Sequence, residues 1–322
     1  MRRLIRMTML AASIVMVGEA SAQTWPTKAV RLITTASPGQ SIDIMLRLVG
    51  DRLTKTFGQS FVIQNMPGGA GTIAAQTAAR AAPDGYTFYL GGLGFIATDR
   101  YTMKSLAYDP EKDFVLVAKL YDTGAFGIAA NPGVPVKNIA ELISYAKANP
   151  GKLSYGTETV GAPAIAGQWF MKVTGVDMVS VPYKVVTQLV QDAIGGQTQV
   201  AVSSIPVMET AHRSGKLRIL GITTPRRLES LPDVPTVGET VPGFRVGGLG
   251  VLVAPAGTPV EAIQKVNREI DVLMKDREYR DRLVGFGFSM SDAGTPQSIA
   301  EFVRGERENW GQIMKGLNIQ PQ

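Results

Sequence analysis

The amino-acid sequence predicts an α/β fold with a mostly parallel sheet. Three observations carry that reading: short apolar runs alternate with helix-periodic segments, one strand–polar loop–helix arrangement occurs three times, and 45% hydrophobic residues supply ample core. A length of 322 residues suits two domains or one large one.

The first strand covers residues 30–35 and is stopped by Ser37-Pro38-Gly39. After it, Ile42, Met45, Leu46, Val49 and Leu53 recur at helical spacing while Arg47, Asp51 and Lys55 fill the other face; Ser41 stands where a cap is expected, and Gly58 closes the helix. Residues 61–64 read as a second strand and the alanine-rich 73–82 as a helix ended by Pro83-Asp84-Gly85. A third strand, 86–90, runs into a flexible glycine loop, 91–94. Strands at 114–119 and 126–130 precede a helix at 139–148. The opening arrangement then returns as a strand at 153–156, a loop of hydroxyls and glycine at 157–162, Pro163 at the first helical position and a helix at 164–173. A third copy follows, with a strand at 178–181, the loop Pro182-Tyr183-Lys184 and a helix at 187–194. Strands at 200–204, 217–223 and 249–254 and helices at 260–274 and 296–317 complete the chain, with a basic, proline-broken loop running to Pro235.

At each of the three junctions unpaired backbone N–H groups meet the positive end of a helix dipole, which makes an anion site without any charged side chain. Ser37, Ser41, Thr157, Thr159, Tyr183 and Thr187 add hydroxyls there. Two such ends facing each other would hold one carboxylate apiece, which suits a ligand with two acidic ends. Asp43, in the first turn of its helix, reads as a loop organiser, and Lys184 as either a ligand contact or a solvent-facing lysine.

Residues 1–22 read as a secretory signal peptide: Arg2, Arg3 and Arg6, an apolar run too short to span a bilayer, then Ala20-Ser21-Ala22 before Gln23. The mature protein is therefore expected outside the cytoplasm, with cleavage before Gln23. The chain holds no cysteine, which excludes disulfides, thiolate catalysis and a lipid-anchored cysteine. Net charge is +6 for the whole chain and +4 once Arg2, Arg3, Arg6 and Glu19 leave with the signal. The basic residues are scattered without aromatic interleaving, so nucleic acid is not an expected partner.

Catalysis has few players. His212 is the one histidine, it reads as a solvated surface residue, and no G-x-S-x-G elbow exists, so a secreted hydrolase has little to work with. Zinc lacks ligands. Glu301, Glu306 and Glu308 on one helix, and Asp276, Glu278 and Asp281 near another, read as solvated faces. Gly69-Ala70-Gly71-Thr72-Ile73-Ala74 formally matches a dinucleotide turn but lacks the later acidic residue, and Gly156 to Gly161 matches phosphate-loop spacing but is followed by Ala162-Pro163 instead of Lys-Ser/Thr.

Eight motifs in order give the chain a family resemblance: Trp25-Pro26 with 30–32; Pro38-Gly39 with Asp43; Asn65 with Pro67-Gly68 and Gly71; Pro83-Asp84-Gly85-Tyr86-Thr87; residues 146–156; Val181-Pro182-Tyr183-Lys184; residues 231–239; and residues 254–259. Over its mature length the chain resembles the tripartite tricarboxylate transporter substrate-binding proteins, the Bordetella uptake gene (Bug) or TctC-like family. The resemblance implies a type II periplasmic binding fold: two α/β lobes, 23–122 with 245–322 and 123–244, joined by two crossovers and closing on a small organic carboxylate. It implies a periplasmic monomer with no catalysis and no cofactor, delivering its ligand to a membrane permease of two subunits. A ligand sensor that docks on a membrane receptor is the alternative. The family's ligand loops fall on Ser37, Gly39, Gln40, Ser41 and Ile42; Leu93 and Gly94; Thr157, Thr159, Gly161, Ala162 and Pro163; Tyr183 and Lys184; and Ser203 and Ser204. In the family one carboxylate is gripped by main chain and hydroxyls, the distal end through ordered water. Gln40, Val185 and Val186 stand where the family usually has glycine, which implies a narrower, more apolar pocket.

Overall fold

A computed structural model describes residues 25–159, 161–289 and 292–321. The signal-peptide assignment and Val160 of the second loop fall outside those residues. The first lobe opens with β1 (Val30–Thr34), α1 (Ser41–Phe57), β2 (Phe61–Asn65), α2 (Thr72–Ala79), β3 (Thr87–Gly91), α3 (Asp99–Thr102) and β4 (Phe114–Gly124). The second is built from β5 (Phe126–Ala130), α4 (Ile139–Ala148), β6 (Ser154–Glu158), α5 (Ala162–Thr174), β7 (Val179–Tyr183), α6 (Val186–Ile194), β8 (Val200–Ser204), α7 (Ile205–Arg213) and β9 (Arg218–Ile222). The chain then returns to the first lobe for β10 (Gly248–Pro255), α8 (Val260–Met274), α9 (Arg277–Gly285), β11 (Phe288–Ser289) and α10 (Pro296–Gly316).

α1 shows how the elements pack. Met45, Leu46, Val49 and Leu53 are fully buried against Leu32, Phe88 and Val266, as their helical spacing requires. Each such side chain contributes roughly 1.5–3 kcal/mol. In the second lobe Leu189, Val190, Ala193, Ile205 and Met208 of α6 and α7 close over Ala129, Ala201 and Ile219 of the sheet.

The sheets are ordered β11-β4-β10-β3-β1-β2 and β7-β6-β8-β5-β9. They are mixed, where the sequence suggested mostly parallel. Among the named strands β1 pairs in parallel with β2 and β3, and β6 with β7 and β8, while every strand pairing made by β4, β5, β10 or β11 is antiparallel. The reason is topological. Strands that carry the chain between lobes have no crossover helix to reverse their direction.

That topology places the functional face. The end of β4 lies beside the carboxyl end of β3 through β10, because Val251 pairs with both Gly91 and Lys119. One residue later β5 begins, with Phe126 opposite Ser204 at the carboxyl end of β8. The parallel strands of both sheets therefore direct their carboxyl ends at one seam, where ligands of open α/β sheets sit. Thr223, fully buried, ties the two crossovers: its hydroxyl reaches the Phe126 carbonyl at 3.2 Å and the Val246 carbonyl at 2.6 Å, and its own carbonyl accepts the Val246 N–H at 2.9 Å. The Ala125 N–H donates to the Gly287 carbonyl at 3.0 Å.

The glycine loop expected at 91–94 is instead ordered. Gly94–Thr98 forms a π-helical turn that leads into α3, because Phe95 and Ile96 have apolar surface to bury in the core. α9 and the two-residue β11 are further elements that the sequence analysis did not assign.

Candidate ligand-binding cleft

The β1–α1 loop is held by one carboxylate. Asp43, 1% exposed, accepts the Gly39 N–H at 2.8 Å, Arg47 Nε at 2.9 Å and Asn65 Nδ2 at 2.7 Å, while Asn65 Nδ2 also donates to the Ala36 carbonyl at 2.9 Å. Burial pushes the Asp43 pKa up, but the donors from Arg47, Asn65 and Gly39 outweigh it and hold it below the usual carboxylate value. Gly39 sits at φ +84°, a conformation that L side chains rarely adopt. Ser41 is not the cap. Gln40 occupies that position and Ser41 is the first helical residue, because the Gly39 turn brings the chain into the helix one residue earlier. The Gln40 side chain folds back instead, its Oε1 accepting the Ser37 N–H at 2.8 Å. A glycine there would leave that amide free.

At the β3 exit, Leu93 is half-buried and Gly94 opens the π-helical turn. A Cβ on Gly94 would lie 2.7 Å from Asp99 Oδ1, and the buried Asp99 carboxylate accepts the Tyr108 hydroxyl at 2.8 Å. Burial raises the Asp99 pKa, with the Tyr108 hydrogen bond opposing.

In the second lobe the end of β6 carries Thr157 and Glu158, whose side chains take opposite faces of the strand. Thr157, 2% exposed, has a buried hydroxyl without a hydrogen-bond partner among the described residues. The Glu158 carboxylate accepts the Ser203 hydroxyl at 2.6 Å through Oε1, and its buried Oε2 has no partner among the described residues. Burial raises the Glu158 pKa; the Ser203 hydroxyl and its own backbone N–H act against that. Thr159 donates its N–H and its hydroxyl, each at 3.1 Å, to the Tyr183 carbonyl. The Tyr183 hydroxyl is directed back to Asp192 at 2.8 Å, which leaves its half-buried ring as the surface it can offer. Tyr183 closes β7, where the sequence suggested that it belongs to a loop. Gly161 precedes α5, where Ala162 and Pro163 make up the first turn. Lys184 is exposed, as is Val185 at 54%, and Val186 begins α6. Ser204 stands at the N-cap of α7. The structure thus joins Thr159 to Tyr183 and Ser203 to Glu158. Among the described residues no hydrogen bond links loop 37–42 to loop 157–163.

Helix capping follows position. α1, the π-helical turn, α5, α6 and α7, all starting at strand ends on the seam, have no side-chain cap. α4, α9 and α10 are capped by Asn138, Asp276 and Thr295. α8 breaks the pattern, with Pro259 at its N-cap. An uncapped first turn leaves N–H groups available to an anion, less so at α7, where the Ile205 N–H already donates to the Ala125 carbonyl at 3.0 Å and Pro206 has none.

Two readings of single residues change, and a third gains a role. His212 is half-buried, its Nδ1 accepting the Ile219 N–H at 3.3 Å, because α7 folds its last turn against β9. Glu306 is 14% exposed and pairs with Arg245 at 3.2 Å, since α10 packs that face under the second crossover. Asp276 is exposed, as read, and also caps α9, its carboxylate accepting the Tyr279 N–H at 2.9 Å. A cavity of about 550 Å³ lies beside the hinge, walled by Arg245, Gly248, Phe288, Phe302 and Glu306. It contains none of the residues anticipated for the ligand, and several of its charges pair with one another, Arg245 with Glu306 and Arg280 with Glu229.

Two α/β lobes on a double crossover, with open helix ends gathered at the seam, define the class of two-lobe solute-binding proteins. Residues 45–319 match the family model described as "Tripartite tricarboxylate transporter family receptor", and the chain belongs to that family. It is 33% identical to a UPF0065 protein of Bordetella bronchiseptica, over 98% of this chain and 94% of that one. Among solved structures it resembles Rpa4515 of R. palustris with adipate, at 32% identity and a TM-score of 0.75, covering 92% of this chain and 100% of the other. MatC from Rhodopseudomonas palustris with bound malate is 30% identical, with a TM-score of 0.70 over 90% of this chain and 100% of that one.

Proposed function

We propose that this protein is a periplasmic receptor that closes its two lobes on a small organic carboxylate and delivers it to the permease subunits of a tripartite tricarboxylate-type transporter. The observation that carries the reading is the set of uncapped helix N-termini converging on the seam, at α1, α5 and α6, together with the buried Thr157 hydroxyl at the end of β6, which has no partner among the described residues. Backbone amides there supply donors for a carboxylate, and the dipoles favour its charge. Relatives solved with adipate and malate support a carboxylate as the ligand class. Gln40 on the Ser37 amide and the exposed Val185 fit a site narrower and more apolar than a glycine-lined one. The contacts fall on Ser37 to Ile42, on Leu93 and Gly94, and on the second-lobe residues from Thr157 to Ser204 named above.

Ligand that binds only the folded state raises its melting temperature by mass action. Residues 23–322 should show a clear rise in Tm with at least one member of a panel of aliphatic di- and tricarboxylates, acidic amino acids and aromatic acids. A flat panel, on protein freed of co-purified ligand, would count against the carboxylate reading.

A further inference from the structure

Glu158 is out of character in a site built for anions. Its carboxylate lies at the carboxyl end of β6, in register between Tyr183 of β7 and, one step beyond the Thr157–Val202 pair, Ser203 of β8. In parallel pairing, registered side chains share a face, so Glu158 lies on the same side as Tyr183 and Ser203. Ser203 satisfies Oε1 at 2.6 Å, while Oε2 is buried and has no partner among the described residues. A buried carboxylate oxygen without a donor is costly, and more so when charged. No lysine or arginine makes an ion pair with Glu158 among the described residues. Lys184, directly after Tyr183, is exposed.

The geometry points to Glu158 as the receptor for an ammonium group on the ligand, so that the solute of this site is an amino-carboxylate rather than a plain dicarboxylate. The inference rests on the carboxylate-receptor reading above and divides the labour of the seam. Open helix ends hold the ligand's carboxylates, and Glu158 Oε2 accepts one N–H of its ammonium. Ser203 fixes the carboxylate that does so. The half-buried Tyr183 ring flanks the same spot, with its hydroxyl already committed to Asp192. A charge-assisted hydrogen bond of this kind, made away from bulk water, is among the stronger polar contacts.

Isothermal titration of residues 23–322 with matched pairs tests it: aspartate against succinate, glutamate against glutarate, and 2-aminoadipate against adipate. The amino member of the best-binding pair should bind at least about tenfold more tightly, one charge-assisted contact's worth. Glu158→Gln, which keeps a partner for Ser203 and removes the charge, should bring that pair to within about twofold of each other. The wild-type comparison stands even if the variant misfolds. Plain diacids binding as tightly as their amino partners, or an undiminished preference in Glu158→Gln, would overturn the inference and leave the receptor reading intact. No heat from either member of any pair, nor from other carboxylates, would overturn both.

Discussion

Replacing Asp43 with alanine should cost about 3 kcal/mol of stability and abolish measurable ligand binding. This buried carboxylate ties Gly39, Arg47 and Asn65 together, and its loss leaves the Gly39 N–H and one of the two Asn65 Nδ2 hydrogens without their acceptor, the other staying on the Ala36 carbonyl. Breaking a buried, hydrogen-bonded charge costs roughly 3–5 kcal/mol, and the half-exposed Arg47 moderates that, since water can replace its partner. The pH dependence has a definite sign. The native pKa of Asp43 is lowered, so its contribution is fully present above the unfolded value of about 4 and fades as pH falls through the native one. Denaturant melts of wild type and Asp43→Ala should therefore differ most at neutral pH and converge in strong acid. A difference that grew toward acid pH would refute this account of the loop.

Gly287→Ala should be the second severe change, at about 2–4 kcal/mol. Gly287 has φ +77°, where a side chain is strained, and a Cβ there would sit 2.5 Å from Pro206 Cγ and 2.7 Å from its Cδ. A proline ring is fixed to the backbone and cannot swing aside. Because Gly287 belongs to the first lobe and Pro206 lies in the first turn of α7 of the second, the strain falls between the lobes, at the point where the Ala125 N–H also meets the Gly287 carbonyl. Besides a lowered melting temperature, small-angle scattering should show the lobes of this variant further apart than in wild type. An unchanged scattering curve with unchanged stability would mean that the contact does not constrain the hinge.

Where the sequence is legible, a single physical signal dominates. β1 and α1 are readable because a β-branched run gives way to apolar residues at 3.6 spacing, and the buried set Met45, Leu46, Val49 and Leu53 matches it. Asp43 is readable as a loop organiser because a carboxylate in a first turn has few other uses. The π-helical turn after β3 is not, since three glycines in four residues look like a flexible loop and the burial of Phe95 that orders it is tertiary. α9 hides because its nine residues are mostly charged and only Tyr279 and Leu283 are buried. The antiparallel character of β4, β5 and β10 depends on which lobe each strand enters, and no local pattern encodes that. Glu158 escapes notice for a similar reason. In sequence it is one polar residue in a loop of hydroxyls, and only the β6–β8 register brings Ser203 to one of its oxygens and nothing among the described residues to the other.

The claim at the centre is that the ligand is held by helix ends at the seam between the lobes. Amide hydrogen exchange of residues 23–322, with and without a saturating concentration of the tightest carboxylate from the thermal panel, reads those N–H groups directly. Protection should rise at the first turns of α1, α5 and α6 and around Gly94, and stay level at the capped starts of α4 and α9. Protection confined to 225–230 and 301–309, the walls of the 550 Å³ cavity beside the hinge, would contradict it.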